Sequence, residues 1–365
     1  MKALKKIGFY TAFILPFICI LSFYQGGWFQ FTPIFFVFIF LPLLDQLIGI
    51  DKENVAPEQV EQRSTEFYYR FVTYVWVYVQ LAFICWAAFV IVMEPPLHLY
   101  EWIGFIISTG LVTGGIGITV AHELGHKQSG LERFYSKVLL MTVCYMHFYI
   151  EHNRGHHVTV ATPHDPATAR QNENFYTFWF RSVFGGYAHA WTLEKESLSR
   201  KGQATFSLHN NMIVFSVLPF LFCLILLTSL KLITGLWHIE VVIFFFGQSI
   251  VAFTLLELVN YIEHYGIVRK EIAPGKYERV NPLHSWNASH MLSNFFLFQL
   301  QRHSDHHAYA YKRYQVLNHY DESPQLPFGY PTMILLAMFP PIWFAIMNKK
   351  LITWKQSEKR IHQAT

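Results

Sequence analysis

The sequence predicts an all-α integral membrane protein, six transmembrane helices joined to a cytoplasmic, histidine-rich helical cap. Three observations carry that expectation: six long apolar stretches, a one-sided distribution of Lys and Arg among their connections, and histidines gathered in tight clusters. With 53% apolar and only 14% charged residues among 365, the composition is too apolar for an ordinary soluble domain.

A crossing needs about 20 mainly apolar residues. Six stretches qualify, running roughly Ile7–Tyr24, Phe29–Ile50, Phe71–Met93, Leu99–Val120, Asn211–Ile233 and Leu236–Asn260. The first follows Lys2, Lys5 and Lys6 as a signal peptide would, but no small-x-small site follows it and a second apolar stretch comes almost at once. It therefore reads as a retained helix.

Basic residues then set the orientation. Lys52, Arg63 and Arg70 lie in the second connection, and Lys127, Arg133, Lys137 and Arg154 follow the fourth span, whereas the odd connections carry acids such as Glu94 and Glu101, with Lys231 a lone exception. Both termini and the segments 121–210 and 261–365 are thereby expected on the cytoplasmic side, as a cap folded against the membrane. A seventh apolar stretch, Phe328–Met347, contains Pro331, Pro340 and Pro341 and would carry Lys349, Lys350, Lys355, Lys359 and Arg360 outward if it spanned. It reads as interfacial or re-entrant. No repeat or low-complexity linker interrupts the chain, so residues 1–365 are read as a single integral-membrane domain.

The net charge of +4 and the absence of a basic tract interleaved with aromatics argue against nucleic acid, and point to membrane lipids and lipid-phase molecules as partners. The four cysteines, Cys19, Cys85, Cys144 and Cys223, stand far apart with no C-x-x-C, which excludes a zinc ribbon or a disulfide framework. Any electrons must come from another chain.

Histidine is the anomaly, with 19 residues. His122-Glu-Leu-Gly-His126 begins where the fourth span ends, so a continuing helix puts both imidazoles on one face. His152-Asn-Arg-Gly-His156-His157 repeats that spacing and adds a neighbour that an α-helix turns about 100° away, toward a second metal. His303-Ser-Asp-His306-His307 offers i, i+3 and i+4 together, and His264 stands at the end of the sixth span. Nine imidazoles exceed what one ion accepts, so two metals sharing the set is the natural partition. Iron, copper, zinc and nickel all suit imidazole. His264, isolated, is the weaker ligand candidate, since a histidine in a buried polar patch looks the same, and His98, His189, His209, His238, His319 and His362 read as interfacial or hydrogen-bonded. His164, His284 and His290 stay open between ligand support and packing.

Glu123, Glu151, Asp165, Glu263 and Asp305 accompany the clusters, and orienting a ligand's other ring nitrogen is their default role. Arg154 and Arg302 either pair with these acids or stay solvated. Three uses of such a site compete. His122-Glu-Leu-Gly-His126 satisfies the H-E-x-x-H pattern of zinc proteases, but leaves the other clusters unexplained. A metal transporter would place ionisable groups inside the spans, where Asp45 and Glu257 lie only near the ends. A membrane oxidase, with a two-metal site over a bundle that admits a lipid-phase substrate, fits best. It favours iron, because zinc cannot cleave oxygen.

At these motifs the sequence resembles the integral-membrane alkane 1-monooxygenases, or alkane ω-hydroxylases, within the membrane three-histidine-box superfamily of desaturases and hydroxylases. The carriers are the three clusters, Pro163-His-Asp-Pro-Ala-Thr-Ala-Arg170, Asn260-Tyr-Ile-Glu-His-Tyr-Gly266 and His284-Ser-Trp-Asn287. The Asn-Tyr-x-Glu-His-Tyr-Gly element is the specific one, since desaturases share the boxes and lack it. The resemblance implies two non-haem irons, held by His122, His126, His152, His156, His157, His264, His303, His306 and His307. It also implies hydroxylation of the terminal methyl of an n-alkane with oxygen and electrons from rubredoxin, itself reduced by an NAD(P)H-dependent reductase. A fused rubredoxin is excluded by the cysteines. Fatty acyl desaturation or hydroxylation, or xylene-type oxidation, are the alternatives within the superfamily. Two departures stand out: Ile267 where the family usually has Leu, and Ala308-Tyr-Ala-Tyr311 in place of a polar-Pro-Thr run, which touches partner or substrate contacts but not the ligands.

An alkane arriving from the bilayer needs a slim apolar tunnel. Gly110, Gly114, Gly115 and Gly117 remove bulk along the fourth span, and Phe35, Phe36 and Phe38 are candidate walls, although close helix packing and lipid-facing filler are the competing readings.

Overall fold

In a computed structural model, which describes residues 2–364 and the side chains of residues 5–357, six helices are long and apolar enough to cross a membrane. They are Lys5–Gln25, Gly27–Ile48, Phe67–Met93, Leu99–Gly125, Asn211–Thr234 and Ile239–His264. Each overlaps an expected stretch, the second ending at Ile48 and the sixth starting at Ile239, and the two that matter most run further toward the histidines than hydropathy alone suggested. The fourth continues to Gly125 and the sixth to His264, because polar residues at these ends are buried by the cap instead of facing water. The side chains of Lys2, Lys359, Arg360 and His362 lie outside the described residues. The only strands among the described residues are Glu271–Ala273 and Lys276–Tyr277, a small hairpin.

The fourth and sixth spans form the axis of the bundle. Their contact depends on glycine: a Cβ on Gly114 would stand 2.5 Å from the Ala252 Cα and 2.6 Å from its carbonyl oxygen, and one on Gly110 2.5 Å from the Val251 Cβ. Small residues let the backbones approach where lipid supplies no hydrophobic drive. Gly114→Ala is therefore expected to lower stability by about 1–3 kcal/mol, the usual cost of overpacking, seen as a lower melting temperature in detergent.

Between Leu111 and Ile118 the fourth span widens into a π-helical segment before tightening again into Thr119–Gly125, which carries the first histidine pair. Another π turn, His152–His156, interrupts the helical segment 148–159. There the His157 amide donates to the His152 carbonyl five residues back. Such turns are rare and occur often at functional sites.

The rest of the cap closes over these ends. Helix Phe175–Arg200 lies against 148–151 and the sixth span, leaving Tyr176, Phe180, Phe184 and Tyr187 exposed along one stripe. An apolar stripe of this kind is the mark of a helix lying in a bilayer interface. The seventh apolar stretch is not among the six long helices. It breaks at Met338 and Phe339 into Tyr330–Ala337 and a helix starting at Pro340. It packs on the end of the sixth span, where Trp343 meets the rings of Tyr261 and Tyr265 at 5.1 and 5.3 Å.

Candidate metal centre

The fold gathers nine histidines into two adjoining groups. His122, His126, His152, His157 and His306 form one, and His156, His264, His303 and His307 the other, the ligand atoms of each group lying within 4.8 Å of one another. Each cluster in the sequence is thus divided between the groups, except the first. In an α-helix His152 and His156 would share a face. The π turn instead brings His152 and His157 together, five residues apart, and sends His156 to the other side. In the third cluster ordinary α geometry applies: His303 and His307 share a group, with ring centroids 4.4 Å apart, and His306 joins the first.

Ring nitrogens converge within each group. The Nε2 atoms of His126 and His152 lie 3.1 Å apart, those of His152 and His157 3.0 Å, those of His157 and His306 3.2 Å, and those of His303 and His264 3.2 Å. Two nitrogens at right angles around one ion, each about 2.1 Å from it, stand roughly 3.0 Å apart. The spacing therefore suits cis ligands. A neutral imidazole has one proton and one lone pair, so these nitrogens can meet only as single N–H···N bonds, whereas a cation collects all the lone pairs at once. His122 Nε2, His156 Nε2 and both nitrogens of His307 find no hydrogen-bond partner among the described residues. Burial, reinforced by the neighbouring imidazoles, holds His126, His152, His157, His303, His306 and His307 well below the ordinary histidine range. They are thus neutral donors, the form a metal binds. The donor set fits two ions.

The two groups differ in access. His126 and His157 are half-exposed, whereas every member of the four-histidine group is buried.

The accompanying acids divide by contact. Asp165 Oδ2 lies 2.9 Å from His156 Nδ1 and accepts from the Thr168 hydroxyl at 2.5 Å. Burial opposes its charge, but His156 holds the carboxyl below the usual carboxylate range. Asp165→Asn keeps an acceptor and removes the charge that fixes the His156 tautomer. Metal affinity measured by chelator competition is expected to fall about 10–100-fold. Glu263 Oε2 lies 3.1 Å from His303 Nε2, and the Tyr330 hydroxyl donates to its other oxygen at 2.7 Å. Glu123, Glu151 and Asp305 bond elsewhere. Glu123 pairs with Lys127 at 3.0 Å, Glu151 with His189 Nδ1 at 3.0 Å, and Asp305 with Lys312 Nζ at 2.8 Å and the Tyr320 hydroxyl at 2.7 Å. Neither arginine pairs with these acids: Arg154 bonds Glu194 at 2.8 Å, and Arg302 donates to the Leu317 carbonyl at 2.6 Å and the Asp51 carbonyl at 2.9 Å. Gly155 is required where it stands, since a Cβ there would intrude to 2.7 Å from the Glu151 carboxylate and 2.8 Å from the His189 ring.

An apolar cavity leads from the spans to this centre. Leu15, Val37, Phe38 and Leu41 line it from the first two spans, Leu111, Gly114, Gly115 and Ile118 from the fourth, and Leu255, Leu256 and Val259 from the sixth. At its inner end stand His122 and His152 of one group, His303 of the other, Glu263 and Tyr330. Of the residues expected along a tunnel, Phe38, Gly114 and Gly115 are walls, and Gly117 packs against Gln80 instead. Gly110 packs against Val251, Phe36 stacks toward Phe296, and Phe35 is 59% exposed away from the cavity. Sequence reasoning missed Tyr330 and His189, whose partners lie 67 and 38 residues away with no local pattern to mark them.

Residues 96–337 match the fatty acid desaturase family model. The chain is 42% identical to alkane 1-monooxygenase 2 of Pseudomonas aeruginosa over 369 residues, covering 98% of this chain and 95% of the relative. The chain belongs to the alkane 1-monooxygenase family. Alkane 1-monooxygenase 2 of Alcanivorax borkumensis is 41% identical with nearly the same coverage. The family's wider relationship extends to a xylene/toluene monooxygenase hydroxylase component of Pseudomonas putida, 29% identical over 72% of this chain.

Proposed function

We propose that this family member is a di-iron enzyme that hydroxylates the terminal methyl of n-alkanes, using oxygen and two electrons from rubredoxin. The observation that carries the reading is the apolar cavity whose inner end meets histidines of both groups. A saturated chain offers nothing to hydrogen-bond, so only shape and dryness can hold it, and a slim apolar channel supplies both.

The five- and four-histidine groups would each hold one iron, and when bound the pair would supply the oxygen activation that attack on an unactivated C–H bond requires. The chain's own residues do the rest. Asp165 fixes the tautomer of His156. Glu263, steadied by Tyr330, places a carboxylate at the end of the cavity beside His303. Leu111, Ile118, Leu255 and Val259 keep water from the chain held between them. The balance per turnover is RH + O2 + 2 H+ + 2 e− giving ROH + H2O. The excess of Lys and Arg in the connections on the histidine side supports a cytoplasmic position for it at a bacterial inner membrane, the side on which rubredoxin and its reductase are soluble. The half-exposed edges of His126 and His157 offer its electrons a way in from the aqueous side.

The test is direct. Iron-loaded protein in detergent, given rubredoxin, its reductase, NADH and oxygen with mixed n-alkanes and a fatty acyl substrate, should yield primary alcohols. Unsaturated or hydroxylated acyl chains without alcohols would move the protein to the desaturase side of the superfamily. No product, with zinc retained in place of iron, would return the H-E-x-x-H reading.

A further inference from the structure

A hydrocarbon channel cannot serve every participant in that reaction. Each turnover consumes two protons and releases one water, and neither crosses an apolar channel cheaply. The histidine side also has polar openings, one at the half-exposed edge of His126 and a second that leads toward the buried members of the same group, His122 and His306. A cavity of about 160 Å³ lies between the start of the first span and the loop after the second, with Glu53 and Asn54 exposed at its mouth. Its inner wall holds Arg302, Gln299, Gln315 and Leu317.

That wall carries buried polar atoms without partners. Arg302 is 5% exposed and Gln315 7%, yet Arg302 Nε and the Oε1 atoms of Gln315 and Gln299 find no hydrogen-bond partner among the described residues. Buried polar atoms in a roomy cavity are where ordered waters sit, and one water needs roughly 10–15 Å³ of such space. Phe298 and Gln299 adopt consecutive left-handed conformations, φ 48° and 61°, a combination unusual for side chains of this size. The turn they make puts Gln299 into the wall of the polar cavity and Phe298 into the wall of another.

That other cavity is small, about 10 Å³, room for a single water. It is lined by Glu123 and by His122 and His306 of the five-histidine group. Leu317 lines both cavities and is the partition between them, its carbonyl held by the Arg302 guanidinium at 2.6 Å.

We propose that water and protons pass between the aqueous surface and the metal centre through these two cavities, past Leu317, leaving the apolar channel to the hydrocarbon. The assignment rests on the oxygenase reading for the purpose of the passage, but not for its existence. In this arrangement the third cluster does two jobs: its histidines face the metals, and Arg302, one residue before them, anchors the gate.

Radiolytic hydroxyl-radical labelling of the metal-loaded full chain in lipid nanodiscs tests the passage without any variant, because residues beside bound water label fast even when buried. Phe298 should label several-fold faster than Phe105, an equally buried phenylalanine of the span core, and Gln315→Leu should slow it. Equal rates for the two phenylalanines would overturn the proposal. Leu317→Phe, which narrows the partition, should slow alcohol formation and raise its solvent deuterium isotope effect while iron content stays unchanged. Unaltered turnover and isotope effect would show that no proton or water traffic uses the gate. If the oxygenase reading alone is wrong, the labelling contrast remains and no alcohol forms.

Discussion

Replacing both His152 and His157 with alanine should strip one metal ion per chain, whereas replacing His152 and His156 should weaken both. An ideal helix would give the reverse pairing, since it puts residues four apart on one face. Here the π turn puts His152 and His157 in the five-histidine group, Nε2 to Nε2 at 3.0 Å, and His156 in the other. Either single substitution in the five-histidine group is also expected to abolish alkane hydroxylation. Losing a group that merely orients a ligand already costs about 10–100-fold in affinity or activity, and losing the ligand itself costs more. Metal stoichiometry by plasma mass spectrometry, read beside alcohol formation, decides the matter. Loss of one ion from the His152/His156 double variant, with both retained in the single ones, would refute the partition.

Filling the hydrocarbon channel at its wall should shift which alkanes react. Gly115 lines the cavity, and a Cβ built there meets nothing within 4 Å, so a larger side chain can enter without moving the backbone. Gly114, one residue earlier, has no such room against Ala252. Gly115→Phe is therefore expected to retain folding, iron content and activity on the shortest accepted alkanes while losing the longest. Apolar pockets discriminate by roughly 10–200-fold per methylene, so the loss across several methylenes should be near complete. Product profiles from an alkane ladder, wild type against variant, measure it. A uniform loss at every length would mean that the side chain damages the centre and does not shorten the channel.

Hydropathy and charge made the six crossings legible, because a bilayer demands long apolar helices and leaves few alternatives. The histidine spacings likewise marked eight members of the two groups, and the family resemblance supplied His264. Their division was not legible. Spacing is converted to direction by assuming 3.6 residues per turn, and at His152–His156 that assumption fails by one residue. The acids were harder still. Each stands beside a histidine in the chain, yet neighbours on a helix point apart, so Glu123, Glu151 and Asp305 reach Lys127, His189 and Lys312 instead. Asp165, nine residues from His156, reaches its ring only because the chain turns back after Thr159. Tyr330 and Leu317 come from segments with no motif, and only tertiary packing brings them to the centre.

The π turn at the second cluster also bears on reuse of this centre elsewhere. Idealised scaffolds are assembled from regular α-helices, and the same six letters grafted onto such a helix would aim His152 and His156 at one point and His157 at empty space. A designer copying the motif would obtain a mononuclear site with a stray imidazole. The division into two groups is encoded in a defect of the helix, one surplus residue in a single turn, and transplanting the arrangement means transplanting the defect with it.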